Sequence, residues 1–169
     1  MANYFVTRKG LQNLHGRLRD MAEEMRTCIT RMGESANDYN DLRENPEFLQ
    51  LRTKATYEIP KAIAELESIL SNISIIEEQP EIASGAPSYV VPGCMVELDS
   101  SAGKRTVHIL GVGESAPDKG IVSYETPVGQ ALLELELGDD VNLPVMGKPV
   151  VYKVVNIKVS PHIVRDFAN

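Results

Sequence analysis

Four carboxylates crowd into one short stretch, N-D-Y-N-D-L-R-E-N-P-E-F at residues 37–48: Asp38, Asp41, Glu44 and Glu47. Carboxylate oxygens suit hard divalent cations, and Mg²⁺ is usually held through one or two of them together with waters and substrate phosphate oxygens. A lone pair of such acids binds the ion weakly. It matters when carried to a site that already holds a metal and a phosphodiester, where a second ion can lower the pKa of a water and orient it on the scissile phosphorus. The plainer reading is a helix cap, because Asp41 followed three residues later by Glu44 has the spacing of a capping box. Pro46 weighs against that reading. With Asp41 as N-cap, Pro46 falls at the fifth helical position, where its missing N–H should have bonded the carbonyl of Leu42. Proline fits better at the first helical position with Asn45 as N-cap, which leaves Asp41 and Glu44 in the connecting loop. Acids near the negative end of the preceding helix cost ~0.3–1 kcal/mol each, so stability alone would not select Asp38 or Asp41 there.

Chemistry is sparse elsewhere. Cys28 and Cys94 have no CxxC spacing and no histidine nearby, which suggests neither a disulfide scaffold nor a zinc site. The second half has no Ser/His/Asp constellation and only His108 and His162 as histidines, and His108 falls in a strand pattern, where a structural histidine is expected. The aromatics of the second half, Tyr89, Tyr124, Tyr152 and Phe167, are too scattered to line a ligand pocket, so a docking role is expected there and no small-molecule substrate. Residues 1–80 carry 10 Lys and Arg against 13 Asp and Glu, and residues 81–169 carry 7 against 11, which argues against autonomous binding to duplex nucleic acid. One modest basic stripe (Arg8, Lys9, Arg17, Arg19, Arg26, Arg31) runs along the first helix, where a solvated face is the simpler reading. No apolar run approaches the ~20 residues needed to span a bilayer, and the start M-A-N-Y-F-V has no signal-like core. A cytoplasmic protein with no membrane partner is expected.

The acids are positioned by a long hairpin. Leu11, Leu14, Leu18, Met21, Met25, Cys28 and Met32 follow one another at steps of three and four, a heptad seam with Thr7 as a fitting N-cap. After the acidic turn the seam resumes at Phe48, Leu51, Ala55, Ile59, Ala62, Leu66, Ile69, Ile73 and Ile76. Two such helices joined by a short loop must pack antiparallel, as a coiled-coil hairpin with arms on the order of 40 Å long. Pro60 interrupts the second arm where the seam takes two consecutive steps of four, which predicts a kink near Thr56–Pro60. Pro80, Gly85, Pro87 and Pro92 then mark a linker over 80–92. Beyond it the period drops to two: strands are expected at 94–98, 105–110, 121–124, 141–143 and 150–159, with a short helix at 127–133 capped by Thr126. The fold class is α+β: an antiparallel coiled-coil hairpin over 1–79, then a small antiparallel sheet with one helix over 93–169.

The tip N-D-L-R-E-N-P-E-F (40–48) resembles the G-D-L-x-E-N-A-E-Y motif of the GreA/GreB family of bacterial transcript cleavage factors. T-R-K-G-L-Q-N-L (7–14) is similar to that family's helix opening, and I-V-S-Y-E-T-P-V-G-Q-A-L-L (121–133) with L-G-D-D-V (137–141) to its S-P-x-G-x-A-L and G-D-x-V segments. The resemblance runs over about residues 5–158. It implies an FKBP-like C-terminal domain that docks at the rim of the secondary channel of bacterial RNA polymerase, and a coiled coil that enters the channel. Asp41 and Glu44 would help hold the second Mg²⁺ and the attacking water, so that polymerase cleaves the 3′ end of backtracked nascent RNA. The factor would stimulate polymerase's own nuclease and not be an enzyme itself. The resemblance further implies contacts to RNA or channel walls from Arg31, Arg43, Arg52 and Lys54, and docking through Ser123, Thr126, Pro127 and Gly129. Asn40, Pro46, Phe48, Thr126 and Glu134 depart from the family's usual Gly, Ala, Tyr, Ser and Gly, and residues 160–169 extend past its usual end. The sparse basic stripe is closer to GreA-like members. Two other readings stay open: a channel-binding inhibitor of the same shape, which Asp38 would suit, and a proline-isomerase or chaperone-like module with a coiled-coil handle.

Overall fold

The seam of the first helix is the outermost fact of the architecture, because it decides which face of each arm leaves water. The structure, a computed structural model, describes residues 3–37 and 42–163. The chain divides into two units, one spanning Gln12–Asn72 and one that gathers the chain up to Leu11 and from Ile73 onward.

In the first unit, helix α1 (Arg8–Ala36) faces a second arm made of α2 (Pro46–Thr53), a π turn (Lys54–Glu58) and α3 (Ile59–Leu70). Cys28, Leu51, Ala55 and Ile59 form a buried cluster, against which Met21, Met25, Met32 and Ile63 pack. The arms run antiparallel: Ser35 meets Asn45, Arg31 meets Glu47 and Glu24 meets Lys54. Over the stretch where Pro60 predicts a kink the arm contains the π turn, in which the Ile59 N–H bonds the Lys54 carbonyl five residues back. Pro60 offers no N–H to the Thr56 carbonyl and crowds it. The wider turn absorbs the two steps of four, so Leu51, Ala55 and Ile59 all stay on the buried face. Among the described residues no helix is long and apolar enough to cross a membrane.

In the second unit, five strands follow the order β5-β4-β3-β7-β6: β3 (Cys94–Ser100), β4 (Gly103–Leu110), β5 (Ile121–Ser123), β6 (Asp140–Val145) and β7 (Lys148–Val159). Alternation drives them, since Cys94, Val96 and Leu98 point inward along β3 while Tyr152, Val154 and Ile157 do so along β7. The phase of β7 changes after Val154 because a bulge opposite Glu97/Leu98 inserts Val155. A short helix, α5 (Pro127–Leu132), closes the core with the fully buried Leu132.

Three expectations change here. The sheet is not wholly antiparallel, because β4 and β5, joined by the connection over 111–120, pair in parallel. Residues 80–92 are no free linker: they contain α4 (Pro80–Ala83), and Ile82, Val90 and Val91 enter the core. Ile73 and Ile76 do not extend the helical seam, since α3 ends at Leu70 and β2 (Ile73–Ile75) pairs in parallel with β1 (Tyr4–Val6).

The start of α1 belongs to this second unit and is held by carboxylates from far along the chain. Thr7 is the N-cap, its Oγ1 accepting from Gly10 N–H at 2.9 Å. Glu114 accepts from the Thr7 N–H (3.1 Å), the Thr7 hydroxyl (2.5 Å) and the Gly111 N–H (3.0 Å), while Glu77 accepts from the Arg8 N–H at 3.0 and 3.1 Å. The first turn of α1 has no acid of its own, so these two supply the negative charge that a helix N-terminus favours. A Cβ at Gly10 would lie 2.5–2.7 Å from the Glu114 carboxylate, so any larger residue there must push that carboxylate aside. Glu114→Ala is expected to lower stability by about 2 kcal/mol in urea denaturation, and Glu114→Gln, which keeps one acceptor oxygen, by less.

Candidate functional site

The second arm starts where Pro46 dictates. Asn45 is the N-cap with extended backbone (φ −94°, ψ 101°), and Pro46 opens α2. Asn45 Oδ1 accepts from the Phe48 N–H at 3.0 Å, as a cap should. Its Nδ2 also donates to the carbonyl and hydroxyl oxygens of Ser35, both at 2.9 Å, so one buried amide ties the last turn of α1 to the first turn of α2. A capping box that starts the helix at Asp41 is therefore not what opens this arm. Leu42–Glu44 instead forms a single 3-10 turn ahead of the cap.

Of the four crowded acids, Asp38 and Asp41 lie outside the described residues. Glu44 is exposed on its turn, and among the described residues its carboxylate has no hydrogen-bond or ion-pair partner. Glu47 is engaged, accepting from Arg31 at 2.9 Å across the two arms with both side chains more than half exposed. The acids thus differ in employment: one braces the hairpin and one does not.

Arg31 is paired with Glu47, and Lys54 with Glu24, whose hydrogen bond and charge raise the Lys54 pKa above its ordinary value. Arg52 is exposed on α2, and Arg43 is exposed on the 3-10 turn beside Glu44. The residue that sequence reasoning missed is Ser35, 6% exposed. Its signal was present, because the step of three from Met32 continues the seam onto Ser35, a polar residue where an apolar one was due.

In the second unit, Ser123, Thr126, Pro127 and Gly129 come together as one turn and helix start. Thr126 Oγ1 accepts from Gly129 N–H at 3.1 Å and donates to the Ser123 carbonyl at 2.7 Å. Ser123 and Gly129 are buried, and only Pro127 of the four is exposed. A Cβ on Gly129 would run into the Ser123 carbonyl oxygen and lie 2.8 Å from Tyr124 Cα. The four residues build the shape of this surface, and Pro127 presents it. His108 has the structural surroundings expected of it: Nδ1 lies 3.0 Å from Ser160 Oγ, the ring meets His162 edge-on at 4.6 Å, and burial with the His162 charge second lowers its pKa. Among the described residues no three acids, histidines or cysteines gather to hold a metal ion.

Comparisons with known proteins cover nearly the whole chain. A family model described as "Transcription elongation factor, N-terminal" matches residues 4–75, and one described as "Transcription elongation factor, GreA/GreB, C-term" matches residues 86–159. The transcription elongation factor GreA of Acidiphilium cryptum is 34% identical over 160 residues, covering 94% of this chain and 99% of that protein. GreA of Nautilia profundicola is 30% identical over 156 residues, covering 90% and 92%. A crystal structure of GreA factor homolog 1 of Thermus thermophilus aligns with a TM-score of 0.41 at 24% identity, over 92% of this chain and 99% of that one.

Gly129→Ala is expected to destabilise the second unit by about 1–3 kcal/mol, because backbone must move to admit the methyl group. Urea denaturation followed by near-ultraviolet tyrosine signals measures it, and a substitution of the exposed Pro127 to Ala should leave the midpoint close to that of the parent.

Proposed function

The chain belongs to the GreA/GreB family of transcription elongation factors, and from that premise we propose that it binds bacterial RNA polymerase, inserts its hairpin into the secondary channel and stimulates hydrolytic cleavage of the 3′ end of backtracked RNA. The observation that carries this reading is the placement of Glu44. It stands exposed on a turn ahead of the Asn45 cap, at the end of the hairpin where the two arms join, with no structural duty among the described residues.

The donor set fits the metal that the family implies. Glu44 offers hard carboxylate oxygens in the open, which suits Mg²⁺, and with Asp41 it makes the one or two protein ligands that Mg²⁺ usually takes alongside waters and phosphates. Asp41 and Glu44 would hold the ion together with groups of polymerase, and it would supply the Lewis acidity that lowers the pKa of a water. The residues of this chain do the rest by position. Glu44 and Asp41 accept hydrogen bonds from the attacking water and orient it, and the pairing of Glu47 with Arg31 keeps the arms in register behind them. Arg43 and Arg52, both exposed, offer positive charge toward extruded RNA. Pro127 presents the docking surface that Ser123, Thr126 and Gly129 shape. Polymerase contributes the active centre, so the protein acts as a stimulator of another enzyme's nuclease and takes no small-molecule substrate.

The test adds the protein to stalled, backtracked elongation complexes with Mg²⁺ and follows the RNA 3′ end. Short 3′ fragments should appear, and Asp41→Asn or Glu44→Gln should each slow their release on the order of 100-fold. Absence of fragments with the parent protein would sink the stimulator reading, and blocked synthesis without cleavage would mark a channel-binding inhibitor. Equal cleavage by parent and variants would remove the two acids from the mechanism.

A further inference from the structure

The turn that carries Glu44 ends on a side chain that does more than cap a helix. Asn45 is 1% exposed although the three residues before it are exposed. Capping needs only the bond from its Oδ1 to the Phe48 N–H, which Ser or Asp would supply equally well. That leaves both hydrogens of Nδ2 to be explained. They reach across to the opposite arm and satisfy the carbonyl and hydroxyl oxygens of Ser35, itself buried on the last turn of α1. The Ser35 carbonyl is among the last four of its helix, which have no partner within the helix. Only an amide can accept from one arm and donate twice to the other from one position. The backbone N–H of Asn45 also bonds the Leu42 carbonyl at 3.4 Å, so the 3-10 turn closes directly on the anchored residue.

We propose that Asn45 and Ser35 form a latch that fixes the Leu42–Glu44 turn and with it the direction of the Glu44 carboxylate, which makes Asn45 a positioning residue for the site. The inference rests on the function proposed above for Glu44. Capping and latching are separable by chemistry. Asn45→Ser keeps an acceptor for the Phe48 N–H and loses the reach to Ser35. Asn45→Asp keeps the acceptor, loses both donors and sets a carboxylate against the Ser35 carbonyl. Ser35→Ala removes one of the two acceptors and leaves the cap whole.

The experiment uses the full-length protein with backtracked elongation complexes and separates the cleavage rate at saturating factor from the factor concentration that gives half that rate. Hydrogen exchange of the amides of residues 42–45 and of Phe48 is followed in parallel. With Asn45→Ser and Asn45→Asp the saturating rate should fall at least about tenfold, the half-saturating concentration should stay within about threefold, and exchange at 42–45 should rise about tenfold while Phe48 stays protected. Ser35→Ala should shift the same two readouts in the same direction and less far. An unchanged saturating rate, or a loss confined to the half-saturating concentration, would overturn the latch. Should the parent protein release no fragments, the proposed function fails, and exchange decides the latch alone: equal exchange at 42–45 in parent and Asn45→Ser refutes it.

Discussion

A helical hairpin has to close, and closure strands backbone groups on both arms. The last carbonyls of α1 and the first N–H groups of α2 have no helical partners, and they lie where the chain must also turn. In this protein one buried side chain answers both needs. Asn45 accepts from the Phe48 N–H of α2 and donates to the Ser35 carbonyl of α1. The remaining features of the tip follow from that knot. Pro46 sets the extended backbone that lets Asn45 cap, the 3-10 turn of Leu42–Glu44 packs its bend ahead of the cap, and Glu44 is left outside the capping network. A buried polar group is costly when unpaired and specific when satisfied. Asn45, with its donors and its acceptor all used, is of the second kind.

The other end of α1 meets the opposite chemical problem, because its stranded groups are donors. Thr7 supplies the local cap, yet the first turn contains no acid. Glu114 and Glu77, 107 and 69 residues away in sequence, bring their carboxylates to the N–H groups of Thr7 and Arg8. Charge-assisted bonds of this sort are stronger than neutral ones and favour the positive end of the helix dipole. The start of α1 is thereby built into the sheet unit, together with β1 and β2, which is why that unit begins at the very front of the chain.

Much of this was legible in the sequence where a period or a local rule carries the information. Steps of three and four gave the arms, alternation gave the five strands, and the clash between Pro46 and a helix starting at Asp41 gave Asn45 as the cap. The parts that escaped are those whose determinants are short or distant. A three-residue strand such as Tyr4–Val6 has no period to detect, and Ile73 and Ile76 happen to fall at helical spacing after Ile69, so the seam ran past its true end at Leu70. The parallel pairing of β4 with β5 depends on the path of the connection between them, and the partnership of Thr7 with Glu114 joins residues 107 positions apart in the chain. Ser35 escaped for a different reason: a polar residue at a seam position reads as the seam's end until its partner is known.

The acids at the tip illustrate how employment separates residues that composition makes look alike. Glu47 lies on the first turn of α2, where its charge favours the helix start, and it also meets Arg31 on the facing arm. An exposed pair of that kind contributes at most ~1 kcal/mol, but it gives Glu47 a structural reason to be present. Glu44, three residues earlier, has neither benefit: it precedes the cap, belongs to no α-helical turn and lacks a partner among the described residues. Moving the helix start by one residue toward the N-terminus would draw Glu44 into the cap and end that distinction. Pro46 disfavours the move, because the residue before a proline is pushed away from the α conformation that the first helical position needs. The departure from the family's usual alanine at this position therefore tightens the boundary that keeps Glu44 outside the helix, and makes the freedom of that carboxylate a consequence of backbone sterics.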